Sequence, residues 1–90
     1  MIEAIHIIVH GRVQGVWFRA GTKEKADELR LFGWVKNKSE GTVEIHAEGE
    51  KLRLENFILW CREGTTAANV TSLNLNQTSF QNFTSFEIRS

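Results

Sequence analysis

Residues 2 to 10 set Ile5, Ile7 and Val9 against Glu3, His6 and His10, the period-two alternation of a strand with one face on a core. Ile2 and Ile8 make its second face partly apolar. The stretch Gly11-Arg12-Val13-Gln14-Gly15-Val16 breaks that alternation with two glycines, and from about Ala20 the pattern turns helical. Phe18, Thr22, Ala26 and Leu29 then recur at helical spacing, with Gly33 as the expected stop. Two further strands, Trp34 to Lys38 and Thr42 to Glu48, are joined at Ser39-Glu40-Gly41 as a hairpin, with Val43, Ile45 and Ala47 inward and Glu44, His46 and Glu48 outward. Gly49 separates this hairpin from a second helix, about Glu50 to Arg62, whose Leu54, Phe57, Ile58 and Cys61 share one face, and Gly64 ends it. Beyond Gly64 the chain is rich in Asn, Ser and Thr, with only Glu87 and Arg89 charged. Val70, Leu73, Leu75 and the alternating Phe86-Glu87-Ile88-Arg89 still predict two more strands rather than disorder.

Two consecutive strand-helix-strand units predict an α+β, ferredoxin-like split βαβ sandwich: βαββαβ plus a short C-terminal strand, an antiparallel sheet with two helices on one face. The other face is expected to be solvated, which accounts for the polarity of Glu44, His46 and Glu48 without any function. Ninety residues hold one domain, 1–90, and so small a chain draws its core from nearly every apolar residue it has.

Charge and cysteine use narrow the function. Eleven basic side chains cancel eleven acidic ones, so the whole-domain basic footprint of a nucleic-acid binder is missing. The third strand also lacks the exposed aromatic pair with which a sheet of this type stacks on bases. Zero is nonetheless an average. From His10 to Lys25, Arg12, Arg19, Lys23 and Lys25 face only Glu24, an excess suited to one small anion, which Lys36 and Lys38 extend if the strands bring them close. The single cysteine excludes an internal disulfide and suits a reducing compartment. With neither a signal-peptide pattern nor a membrane-length apolar run, a cytoplasmic monomer without a membrane partner is expected. The four Asn-x-Ser/Thr sequons, from Asn37, Asn69, Asn76 and Asn82, are then chance.

The candidate chemistry lies between the first strand and first helix. A glycine-bearing loop at a helix N-terminus points backbone N–H groups at an anion, yet its spacing is that of neither nucleotide-binding glycine motif. Alone it is weighed evenly against an ordinary turn. Arg19 shifts that balance, because a cation in the first turn opposes the helix dipole by about 0.3 to 1 kcal/mol unless an anion lies between them, and its planar fork matches two phosphate oxygens. Asn37, at a strand end, offers a neutral amide that both donates to and accepts from water, although on spacing alone turn chemistry explains it better.

Gly11-Arg12-Val13-Gln14-Gly15-Val16-Trp17-Phe18-Arg19, then Ala26, Leu29, Gly33-Trp34-Val35-Lys36-Asn37 and Gly41-Thr42-Val43-Glu44, closely resemble the acylphosphatase family, and the resemblance runs over essentially the whole chain. It implies a ferredoxin-like fold and metal-free, cofactor-free hydrolysis of the carboxyl-phosphate bond of acyl phosphates to carboxylate and inorganic phosphate. By motif position Arg19 resembles the phosphate-binding arginine and Asn37 the amide that positions the attacking water. The backbone of Arg12, Val13, Gln14, Gly15, Val16, Trp17 and Phe18 would cradle the phosphate. Lys36 stands where the family often has Arg, Glu40 where Asp is common, and the 64–70 loop lacks the proline usual after its glycine, departures that touch loop stiffness more than the catalytic pair.

Three rival sites are weaker. Cys61 falls on the apolar stripe of the second helix and reads as a buried structural thiol. His6 and His46 would share the outer face if their strands are neighbours, but two histidines without a third ligand make a poor metal site. A non-catalytic anion-binding or interaction module of the same fold is the alternative to the enzyme, and the water-positioning amide Asn37 is what a mere binder would not need.

Overall fold

A computed structural model describes residues 1–90. In chain order the elements are β1 (Ile2–Arg12), α1 (Phe18–Glu28), β2 (Phe32–Asn37), β3 (Val43–Glu50), α2 (Lys51–Glu63), β4 (Asn69–Gln77) and β5 (Phe86–Arg89). The sheet order is β4-β1-β3-β2-β5. Both helices pack on one face, where Ile5, Ile7 and Val9 of β1, Val35 of β2 and Val43, Ile45 and Ala47 of β3 meet Phe18, Ala26, Leu54, Phe57 and Cys61 in one continuous core. The helices themselves approach closely because residue 21 is glycine: a Cβ there would lie 3.0 Å from the Trp60 ring and from Thr65. No helix is long and apolar enough to cross a membrane.

The sandwich is the expected one, with one correction to its sheet. β1, β2, β3 and β4 pair antiparallel, but β5 runs parallel to β2, with Gly33 opposite Phe86 and Val35 opposite Ile88. The reason is topological. β4 and β5 occupy opposite edges, so residues 78–85 must cross the full sheet, four strand spacings or about 19 Å, which is within the roughly 26 to 29 Å that eight extended residues can reach. The crossing leaves β5 entering from the same end as β2.

This strap also overturns the expectation that Glu44, His46 and Glu48 all face solvent. His46 and Glu48 are only 3% and 1% exposed. The Glu48 carboxylate accepts the backbone N–H groups of Gln81 and Phe83 and pairs with His46 Nε2 at 2.8 Å, while the His46 ring stacks on Trp34 and meets the edge of Phe83. Burial alone would raise the Glu48 pKa, but the donors from Gln81, His46 and Phe83 outweigh it and hold the carboxyl below the usual range.

Several boundaries differ because glycines act in strands rather than between elements. β1 continues through Gly11 to Arg12 across a bulge at His10/Gly11. α1 begins at Phe18 and ends at Glu28, short of Gly33, because Arg30 adopts a left-handed conformation that ends the helix. Gly33 lies inside β2, where a Cβ would stand 1.9 Å from the His46 carbonyl oxygen, so only glycine permits that strand approach. β3 runs through Gly49 directly into α2.

Candidate functional site

The C-terminal end of β1, the N-terminus of α1 and the end of β2 surround a cavity of about 320 Å³, lined by Val13, Gly15, Trp17, Phe18, Arg19, Ala20, Asn37 and Ile88. Arg19 is its only charged residue. Lys36 and Lys38 do not extend the positive field, since they face Glu44 and Glu40 at 3.7 Å, while Lys23 and Lys25 are paired with Asp27 and Glu28. Arg19 has no carboxylate partner. Its Nη1 donates to the Arg89 carbonyl at 3.3 Å, so the last strand steadies the guanidinium without neutralising it.

The loop before α1 is built to present donors. Gly15 at φ 73° and Trp17 at φ 65° are both left-handed, a conformation that turns successive amides toward one side. None of the backbone N–H groups from Val13 to Ala20 donates to any acceptor in the protein; the first amide past the loop to do so is Gly21, to Trp17. A helix N-terminus with no side-chain cap adds its dipole. Free donors, a positive helix end and an unpaired guanidinium at one cavity make a site suited to a compact anion.

Two side chains hold that loop in place. Gln14 turns away from the cavity, and its Nε2 donates to the carbonyls of Lys38 and Thr42 at 2.8 Å each, tying the loop to the β2–β3 turn beside Asn37. Thr65 Oγ1 donates to the Val16 carbonyl at 2.7 Å from the other side. Val16 itself is anchored in the core, and Arg12 is the exposed last residue of β1. Thus Arg12, Gln14 and Val16 of the expected cradle do not line the cavity.

Asn37 stands at the end of β2, as the sequence pattern places it. Its Oδ1 is the one buried side-chain polar atom without a hydrogen-bond partner, and its amide makes no hydrogen bond within the protein. An orphaned acceptor costs about 1 to 3 kcal/mol, so Asn37 stands out as a polar group left uncommitted at the cavity wall.

Sequence reasoning missed Ala20 and Ile88 as lining residues and the clamps made by Gln14 and Thr65. Gln14 carried a signal, a long amide set between two valines that the structure buries, Val13 and Val16. Ile88 carried none, since its place depends on the parallel pairing of β5. The rival sites dissolve. His6 and His46 are directly opposite on β1 and β3, but each ring is bonded to a carboxylate, His6 to Glu44 at 2.7 Å and His46 to Glu48. Nowhere do three or more His, Cys, Asp or Glu side chains gather in a way that could hold a metal ion. Cys61 is fully buried, and burial pushes its thiol pKa far up against a smaller opposing pull from Arg62.

The acylphosphatase family model matches residues 5–88. The chain is 42% identical to the acylphosphatase of Methylococcus capsulatus over 88 residues, covering 97% of this chain and 96% of that one. It is 48% identical to that of Marinobacter nauticus over 86 residues, covering 94% of each. Among solved structures, the acylphosphatase from Bacillus subtilis superposes with a TM-score of 0.95 at 38% identity over the full length of both chains. With the family's fold present and its motif residues gathered at one cavity, this chain belongs to the acylphosphatase family.

Proposed function

We infer that this chain, an acylphosphatase, hydrolyses acyl phosphates at the cavity described above. We propose that the substrate's phosphoryl group is held by the free N–H groups of the loop from Val13 to Phe18 and by Arg19, and that Asn37 positions the water that attacks phosphorus. The single observation that carries this reading is the uncommitted Asn37 amide, with its buried orphan Oδ1, on the wall of the same cavity as the unpaired Arg19.

The chemistry asks for little more. Water attacks phosphorus, the P–O bond to the acyl oxygen breaks, and the carboxylate leaves with the electron pair. A carboxylic acid has a pKa near 4 to 5, so the leaving group needs no general acid. Phosphoryl transfer depends mainly on positioning and on stabilising charge over the equatorial oxygens. Arg19 and the loop amides do the second, and Asn37 the first. No carboxylate or histidine lines the cavity to take the water's proton. It passes to a phosphoryl oxygen of the substrate, so that a dianionic acyl phosphate and water yield carboxylate and dihydrogen phosphate. No metal or cofactor enters these steps. We take the enzyme to work as a monomer of a single domain, 1–90. The buried, unpaired Cys61 suits the cytoplasm.

The test is hydrolysis of acetyl or benzoyl phosphate by chelator-treated protein. Arg19→Gln should lose both turnover and inhibition by inorganic phosphate. Asn37→Ala should lose about 10² or more in kcat while phosphate inhibits as before. Loss of phosphate affinity alone in Asn37→Ala would refute the role given to the amide and favour a simple anion-binding module.

A further inference from the structure

The proposed function accounts for the phosphate end of the cavity and leaves its apolar part without a task. Of the three tryptophans, Trp60 packs on Phe18, and Trp34 stacks on His46 beneath Lys36 and Arg89. Trp17 has no aromatic neighbour, no cation over its ring and no side-chain hydrogen bond, and it is 81% exposed. Its backbone is left-handed, at φ 65° and ψ 18°. That conformation serves the anion-binding loop, but glycine would provide it without the clash that a Cβ brings. A large indole at the rim of a cavity, unused by the fold and set where its own backbone disfavours it, calls for a ligand that uses it.

The surroundings say which ligand. Ile88, 45% exposed, also lines the cavity, together with the apolar Val13, Phe18 and Ala20. A volume of about 320 Å³ would hold roughly ten waters at about 30 Å³ each, well beyond what a phosphoryl group occupies. Arg19 is the sole charge and is taken by the phosphate. A second anionic group on the acyl portion would find no counter-charge among the lining residues, whereas an aromatic ring or branched alkyl chain would find the apolar surfaces of Trp17 and Ile88.

We propose that Trp17 and Ile88 form an acyl subsite that selects acyl phosphates with an uncharged aromatic or branched aliphatic acyl group. This rests on the hydrolytic reading of the site given above. The experiment compares kcat/KM for benzoyl, acetyl and succinyl phosphate in the parent protein, Trp17→Ala, Trp17→Phe and Ile88→Ala. The parent should rank benzoyl over acetyl over succinyl. The benzoyl-to-acetyl ratio should fall about tenfold in Trp17→Ala, severalfold in Ile88→Ala, and hold in Trp17→Phe. Competition by phenylphosphonate against methylphosphonate reads the same preference without turnover, and Trp17→Ala should erase it. An unchanged ratio in both alanine variants, or a parent that prefers succinyl phosphate, overturns the subsite. Failure of the parent to hydrolyse any of the three overturns instead the hydrolytic reading on which it rests. If Trp17→Ala does not fold, Ile88→Ala and the two phosphonates on the parent decide the matter.

Discussion

Glu48→Ala removes the acceptor that holds the 78–85 strap to the outer face of the sheet. Two backbone donors, Gln81 and Phe83, and the His46 ring lose their partner together. A buried donor left unpaired costs about 1 to 3 kcal/mol, and three donors lose their acceptor here. The lower part of that range applies, because the strap lies at the surface and its freed amides can turn to water. A loss of about 3 kcal/mol is expected, against a total of about 5 to 13 kcal/mol for a domain of this length. With a urea slope of about 1 kcal/mol/M, the unfolding midpoint should fall by roughly 3 M. The pH dependence gives a second reading. Glu48 in the folded protein titrates below its unfolded value of about 4.3, so its contribution is fully present above that pH and is lost as pH falls through the lowered folded pKa. The stability gap between parent and Glu48→Gln should therefore be constant from pH 7 to about 5 and close below about 4. A midpoint within about 0.5 M of the parent, or a gap that stays flat to pH 3, would show that the strap is held by something else.

Three further outcomes follow from particular contacts. Gln14→Ala frees the Lys38 and Thr42 carbonyls and uncouples the anion loop from Asn37; kcat should fall about tenfold while the urea midpoint moves by about 1 M or less, and unchanged kcat would remove Gln14 as a positioning residue. Gly33→Ala places a Cβ against the His46 carbonyl at a left-handed φ of 144°, so a loss of about 3 kcal/mol or more is expected in urea unfolding, and a near-neutral result would mean that β2 and β3 can part without cost. Cys61 should resist a thiol reagent in the native protein and react at once in denaturant, whereas prompt native labelling would contradict its burial.

What the sequence shows of this fold is what neighbours along the chain decide. The alternation of Ile5, Ile7 and Val9, the helical spacing of Phe18, Thr22 and Ala26, and the placing of Asn37 at a strand end all survive in the structure because each depends on a few adjacent residues. Arg19 and Asn37 were legible as candidates through the local cost of a cation at a helix start and through motif resemblance. Failures came where distant segments meet. Glu48 and His46 alternate as solvent-facing residues should, and only a strap more than thirty residues later in the chain makes them interior. Gly33 looks like a helix stop until the neighbouring strand brings the His46 carbonyl against it. Ile88 looks like the inward residue of an ordinary closing strand, and the parallel pairing that sets it at the cavity leaves no mark on local hydropathy.

The two ends of the sheet treat backbone donors in opposite ways, and β5 connects them. At one end Glu48 collects strap amides so that the crossing segment can lie flat; at the other, the amides from Val13 to Ala20 are left open for a guest. The strap delivers β5 so that Arg89 presents its carbonyl to Arg19 and Ile88 reaches the cavity. Loss of Glu48 should thus reach the site, but only weakly. Phe86 is buried against Phe57, Lys23 donates to the Phe86 carbonyl, and the ladder to β2 extends from Gly33 to Lys36. Those contacts hold β5 after the strap slackens. In Glu48→Ala, kcat measured well below the unfolding temperature should therefore fall less than tenfold, under 1.4 kcal/mol of barrier, although stability falls by about twice that. A kcat loss as large as the stability loss would mean that Arg19 is positioned chiefly through the strap, and that its hydrogen bond to Arg89, at 3.3 Å, matters more than its length suggests.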